Sequence, residues 1–238
     1  MSRGLGDVYK RQEYICINVN YVTELPDHVS FDEGATLGIP GLTAYHSVFA
    51  DGSVNGKTIL ITGGAGAVGF YATSLSSWGG ASVLCTVSSD QKAKRALLAG
   101  AENVINYKTE DVAERVDAYT KGKGVDRLIT VDFGGDLPWM TSIMRQNSCV
   151  SAYASDSDKM PRLDFFSIMR RNIQIRPFIL NSLPQLELNS ACSGINRWLV
   201  EKPNSLRPIA KKFSLEDIIE AHELVESTAK FGTVIVNP

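Results

Sequence analysis

From Lys57 onward the chain alternates short, nearly continuous Val/Ile/Leu-rich runs with longer amphipathic ones, and that alternation admits few folds. Residues 58–62, 82–87, 103–107, 126–133, 149–154 and 172–179 are expected as strands. Between them Val68, Ala72, Leu75 and Trp78 fall at helical spacing, as do the apolar residues of "QKAKRALLAG", "EDVAERVDAY" and "LPWMTSIMRQ". A strand that is apolar on both sides must be covered on both faces, as in a parallel sheet whose crossover helices lie above and below it. The fold class expected is α/β, a doubly wound parallel sheet over residues 51–200.

The first strand runs directly into "TGGAGAVGF", which holds four glycines. With the strand ending at Thr62 and a helix starting at Val68, these glycines form the turn between them. Gly64, Gly66 and Gly69 fit G-x-G-x-x-G. In that fingerprint the first glycine permits the tight turn, the second lets a pyrophosphate approach the backbone, and the third lets helix and sheet pack closely. Free amides at the helix N-terminus then face the negative phosphates, aided by the helix dipole. The pattern marks a Rossmann-type dinucleotide site when it sits in a strand–turn–helix–strand unit, as here; a glycine-rich loop with no ligand is the alternative.

The end of the second strand decides which nicotinamide cofactor fits. An NAD site places an acid there to bond the ribose 2′-hydroxyl. This chain reads "LCTVSSDQKAKR", with Thr86, Val87, Ser88 and Ser89 in that region. Ser88, Ser89, Lys92 and Arg95 offer instead hydrogen bonds and positive charge for a 2′-phosphate, so NADPH is the cofactor expected. Ser89 can equally cap the next helix, with Lys92 a solvated surface residue.

Charge and composition exclude several other functions. The net charge of −2 over 238 residues gives no basic face for nucleic acid or an anionic membrane. There is no apolar run long enough to span a bilayer and no secretory leader pattern, so a cytoplasmic protein is expected. Cys16, Cys85, Cys149 and Cys192 lie far apart, as do His28, His46 and His222, so no local metal site is expected.

The flanks differ in kind from the centre. "EYICINVNYVTELPD" reads as an alternating strand with a turn at Pro26, and "SFDEGATLGIPGLTAYHSVF" as a helix interrupted at Gly38 and Pro40. Near the C-terminus "SLEDIIEAHELVES" reads as a helix capped by Ser214, followed by a strand, "TVIVNP". Neither flank can bury a core alone, so both are assigned to a second lobe of which a part is absent. Residues 1–12 match neither period and are set aside as a leader or artefact.

"LPDHVSFDEGATLGIPGLTAYHSVF", "GKTILITGGAGAVG", "SSDQKAKRALLAGAENVINYKTED", "GKGVD" and "FGTVIVNP" together resemble the quinone oxidoreductase branch of the medium-chain dehydrogenase/reductase family, over residues 13–238. The resemblance implies a GroES-like, β-rich catalytic domain beside the Rossmann domain. Here residues 13–50 would be a remnant of that catalytic domain with a linking helix, 51–200 the NADPH-binding domain, and 201–238 a return to the catalytic domain. Members carry a longer N-terminal segment, so the chain resembles a fragment. The resemblance also implies that Ala67 and Val68 present amides to the pyrophosphate and that Ser88, Lys92 and Tyr107 surround the 2′-phosphate. Thr43 would lie near the nicotinamide end, with Phe133, Tyr153 and Ile179 on the ends of later strands, unless those three merely cap the sheet with apolar bulk. Asp132 and Tyr153 are polar candidates there, Lys230 is a basic one, and no catalytic side chain is assigned. Thr233 and "VDFGG" depart from the family's usual Lys and "DxVGG", which leaves substrate choice open.

The function expected is zinc-independent hydride transfer from NADPH to a quinone or similar activated double bond. Rivals are an enoyl reductase or alcohol dehydrogenase of the same superfamily, or a non-catalytic NADPH-binding module. A homodimer joined through the sheet edges, with "NIQIRPFIL" as an edge strand, is a further implication of the resemblance.

Overall fold

The computed structural model describes residues 14, 16–203, 205–227 and 232–238. Their strands are β1 Thr58–Ile61, β2 Ser82–Val87, β3 Asn103–Asn106, β4 Val125–Thr130, β5 Met144–Ala152, β6 Gln174–Pro177, β7 Ile209–Ser214 and β8 Thr233–Asn237. The helices are α1 Phe31–Gly34, α2 Gly38–Phe49, α3 Ala67–Trp78, α4 Asp90–Leu98, α5 Val112–Thr120, α6 Phe133–Ile143, α7 Phe165–Arg171, α8 Gln185–Glu201 and α9 Ile218–Glu226. Six strands pair in parallel in the order β3-β2-β1-β4-β5-β6, the Rossmann order, and β7 pairs with β8 in a separate parallel ribbon.

Strand periodicity divides the core. In β1, Ile59 and Ile61 join Val83, Cys85, Val87 and Ile129 in one buried cluster, whereas Leu60 joins Leu84, Leu128 and Val150 in another. The first cluster is covered by α2, α3, α4 and α8, through Ala44, Phe70, Ala96 and Trp198 among others. The second is covered by α5 and α6, through Val112, Val116, Met140 and Ile143. Chain direction across the sheet therefore reverses between β1 and β4, and loops leave that point toward opposite faces.

The face under α2 also holds an ionic group centred on one buried arginine. Arg127 on β4, 2% exposed, donates to the carbonyls of Ser47 and Val48 at 2.8 and 2.7 Å and to Asp51 Oδ2 at 2.9 Å. Arg176 on β6 pairs with the other oxygen of Asp51, and the Cys149 thiol donates to Asp51 Oδ2 at 3.2 Å. Burial alone would raise the Asp51 carboxyl, but the Cys149 hydrogen bond and the two guanidinium groups hold it below its ordinary range. The group thus ties the C-terminal end of α2 to three strands.

Several local expectations change. Of the strand expected at residues 13–27, the described residues form no strand, and Val19–Tyr21 is a 3-10 turn instead. Alternation needs a partner ladder to bury against, and Tyr14, Ile17, Val19, Tyr21 and Val22 all lie more than half exposed. Phe133 begins α6 rather than ending a strand. The C-terminal helix starts one turn later than Ser214, with Asp217 at its cap and the Ser214 hydroxyl on Asp217 at 2.8 Å. Helix α8 was not expected; its Asn, Ser and Gly residues are weak helix formers, and packing of Ala191, Ile195, Trp198 and Leu199 holds it in place.

Because Arg127 answers three oxygen acceptors in a buried site, Arg127→Met should cost about 3–5 kcal/mol. Chemical denaturation at pH 7 would measure this; a loss under about 1 kcal/mol would mean that the group is not a stabilising tie.

Candidate cofactor site

The turn after β1 is held by the neighbouring strand. The Gly63 amide donates to Thr86 Oγ1 at 3.1 Å and the Gly64 amide to the Thr86 carbonyl at 3.0 Å. Gly63, not Gly64, takes the left-handed backbone conformation, with φ of +67°. Gly64 is required for a different reason: a Cβ there would stand 2.5 Å from both Cβ and Sγ of Cys85. At Gly69 a Cβ would collide with the Gly63 carbonyl oxygen, and at Gly66 it would lie 3.1 Å from that same atom. Helix α3 starts at Ala67, one residue earlier than expected, and its N-cap Gly66 supplies no side-chain cap. The first amides of α3, those of Ala67 and Val68, therefore open onto a cradle bare of side chains, a fitting seat for an anion.

Beside this turn, at the carboxyl ends of β2 and β3, lie Ser88, Ser89, Lys92 and Tyr107. Lys92 Nζ donates to Ser88 Oγ at 2.8 Å. Ser89 is the N-cap of α4 and accepts the Lys92 amide at 3.3 Å, so the capping role expected as an alternative is realised. The Tyr107 amide donates to the Val87 carbonyl at 3.1 Å, bringing this half-exposed ring beside the end of β2.

On the other side of β1 a cleft of about 680 Å³ is walled by Phe133, Tyr153, Ser155, Phe178, Ile179 and Leu183, with others. Three residues expected at the nicotinamide end, Phe133, Tyr153 and Ile179, are thus brought together at the ends of β4, β5 and β6. Thr43 is not among the cleft walls; it is buried within α2. Lys230 lies outside the described residues. Asp132 is engaged with the Ser157 hydroxyl and amide, which hold its carboxyl below the usual range. Burial, and then the nearby Asp136 carboxylate, push the Tyr153 phenol above its ordinary value. Asp136 itself, half-buried and hydrogen-bonded to Thr130, is pushed up to about 6, chiefly by desolvation. It escaped sequence reading because nothing in "FGGDLPW" distinguishes it from a surface acid in the first turn of a helix.

Neither cysteines nor histidines gather. Burial pushes the Cys85 thiol up to about 12 and Cys149 to about 11, so neither is a nucleophile at neutral pH. His28 contacts the Leu199 carbonyl and His46 pairs with Glu187 at 3.2 Å, in separate parts of the fold. Among the described residues no three His, Cys, Asp or Glu side chains could together hold a metal ion.

Residues 67–194, more than half of the chain, match the family model described as zinc-binding dehydrogenase. The chain belongs to this family. The quinone oxidoreductase of Salmonella typhimurium is 29% identical over 221 residues, covering 90% of this chain and 67% of that protein. Crotonyl-CoA reductase of Streptomyces avermitilis is 31% identical, over 88% of this chain and 50% of its own length. The crystal structure of Escherichia coli quinone oxidoreductase complexed with NADPH superposes with a TM-score of 0.79 at 25% identity, covering 92% of this chain and 69% of that one. This zinc-binding dehydrogenase family member therefore sits in the quinone oxidoreductase branch of the medium-chain dehydrogenases/reductases, a branch of oxidoreductases. It spans about two thirds of the length of the quinone oxidoreductases it matches.

The close contacts at the glycine turn rank its substitutions. Gly69→Ala, opposed by rigid backbone, should lose about 1–3 kcal/mol, and Gly63→Ala about 1–2 kcal/mol from its left-handed conformation. Gly66→Ala should be the mildest for folding. Thermal unfolding of the three variants checks that order, and a Gly69→Ala protein as stable as the parent would refute the packing account.

Proposed function

We propose that the chain binds NADPH along the carboxyl ends of its sheet and serves as a zinc-independent reductase of quinones or similar activated double bonds. The observation that carries this is the bare, uncapped N-terminus of α3 beside the Ser88–Lys92 pair. Gly64, Gly66 and Gly69 leave room for a pyrophosphate to meet the amides of Ala67 and Val68. Ser88, Ser89 and Lys92, with Tyr107 alongside, would hold the 2′-phosphate by hydrogen bonds and one positive charge, where an NAD site would offer an acid. Phe133, Tyr153 and Ile179 would wall the nicotinamide end and exclude water from it, and Thr43, buried on α2, would lie near that end. When bound, NADPH supplies the hydride.

Residues 51–200 form the nucleotide lobe in this reading, with 13–50 and 201–238 belonging to a second, GroES-like lobe, and the protein works in the cytoplasm. A second acceptor class, an enoyl thioester, is favoured by the likeness to crotonyl-CoA reductase. Turnover assays with a quinone and with an enoyl-CoA, each under NADPH, would separate the two acceptors; no turnover with either would leave a non-catalytic NADPH-binding module.

Fluorescence titration tests the cofactor. NADPH should bind more tightly than NADH, and Lys92→Ala should weaken NADPH by about 1.5–3 kcal/mol, the range of a hydrogen bond to a charged group, while leaving NADH unchanged. Equal affinities in the parent would remove the phosphate site from the account.

A homodimer through β6 is part of the same proposal. Among the described residues β6 has no neighbour on its outer side, and Phe165, Phe166, Met169 and Ile179 stand more than half exposed on α7 and beyond the strand. Light scattering should return twice the mass of the 25.9 kDa chain; a monomer at all concentrations would overturn the dimer.

A further inference from the structure

The loops that follow β1 and β4 meet where the direction of the sheet reverses, and one carboxyl group lies beneath both. Asp136 stands in the first turn of α6. Thr130, the last residue of β4, donates its hydroxyl to Asp136 Oδ2 at 2.6 Å and accepts the Asp132 amide at 3.1 Å. Thr62, just past β1, lies beside the Asp136 carboxyl and favours its ionised form, and its Oγ1 accepts the Val131 amide at 3.1 Å. A threonine hydroxyl carries a single proton. The Thr130 proton is given to Asp136, which fixes the hydroxyl with its lone pairs toward the Asp132 amide. The loop held in this way borders the glycine turn, since a Cβ at Gly63 would lie 3.3 Å from Val131 Cγ1.

We propose that Asp136 is a positioning residue of the nucleotide site, whose carboxylate clamps the loops after β1 and β4 at the spacing a dinucleotide lying across them requires. This rests on the NADPH reading above. Asp136 is absent from the walls of the neighbouring cleft, so it acts through Thr62 and Thr130. The titratable groups that face it are Asp132, at the start of the same helix, whose charge opposes its ionisation, and Tyr153 at the end of β5, a neutral phenol over this range. Desolvation is the larger influence, and the carboxyl titrates at about 6. Below that pH a proton occupies a carboxyl oxygen, the charge-assisted bond from Thr130 weakens, and the clamp loosens.

The test measures two properties of the full chain between pH 5 and pH 8. One is hydrogen exchange of the 131–132 amides without ligand, corrected for the intrinsic rate; the other is affinity for NADH. NADH is the probe because the 2′-phosphate of NADPH titrates in the same window. Protection at 131–132 should fall as pH drops through about 6, and NADH should weaken by about tenfold across that window. Asp136→Asn should be flat in both properties, with Asp136→Glu restoring part of the pH dependence. An NADH affinity that ignores pH in the parent, or an Asp136→Asn profile like the parent's, overturns the proposal. If Asp136→Asn does not fold, the parent's own profile decides. Should the parent bind neither nucleotide at any pH, the NADPH reading fails and the positioning role falls with it; the exchange data then show whether the clamp itself exists.

Discussion

Close approach of backbone to backbone at the end of β1 is the constraint on which the rest of the structure depends. The Gly63 carbonyl faces Gly69 in the first turn of α3 with no room for a Cβ, and Gly64 rests on Cys85 of β2. Thr86 takes the amides of both Gly63 and Gly64, so the turn is part of the sheet edge rather than a free loop. The same glycines that let α3 pack this closely leave its first amides uncovered. Tight packing and anion recognition are thus one arrangement, and the fold could not have the first without exposing the second.

Polar groups are treated differently at the covered face and at the open end of the sheet. Under α2, buried Arg127 and partly buried Asp51 and Arg176 answer one another and the end of the helix. Such a group fixes the position of α2 over the sheet, because Asp51 and the helix-end carbonyls take up the guanidinium donors that face them. At the carboxyl ends of the strands, Ser88, Lys92 and Tyr107 stay accessible, and Asp136 keeps a proton equilibrium close to physiological pH. Rigidity at one place and unspent polarity at another are what a binding site needs from its scaffold.

What could be read from the chain follows from how local each signal is. β2 coincides with its expected span because five consecutive apolar or β-branched residues, Val83 to Val87, are bounded by clear turn residues. The parallel character of the sheet followed from burial on both faces, a property each apolar run carries within itself. The segment before Pro26 misled because alternation marks a strand only when a neighbour exists, and a neighbour is not a local property. Phe133 was placed on a strand because "ITVDF" stays apolar past Thr130, whereas the chain turns once the Thr130 hydroxyl is committed to Asp136. Of the candidate site residues, the glycines were legible by spacing. Gly63's left-handed role and Asp136's burial depend on contacts across the sheet, with Val131 and Tyr153, that no linear pattern records.

The order of the strands bears on the kind of ligand. Ser88, Lys92 and Tyr107 follow the carboxyl ends of β2 and β3 on one side of β1, and Phe133, Tyr153 and Ile179 those of β4, β5 and β6 on the other. With strands about 4.8 Å apart, the two groups are separated by roughly 10 Å or more along the sheet edge. The glycine turn, the anion seat, lies between them above β1. A mononucleotide could occupy the turn and one flank only. A molecule with a pyrophosphate at its centre and a nucleoside at each end matches all three places at once, and it is this correspondence of spacing, more than any single residue, that favours a dinucleotide over a smaller phosphorylated ligand.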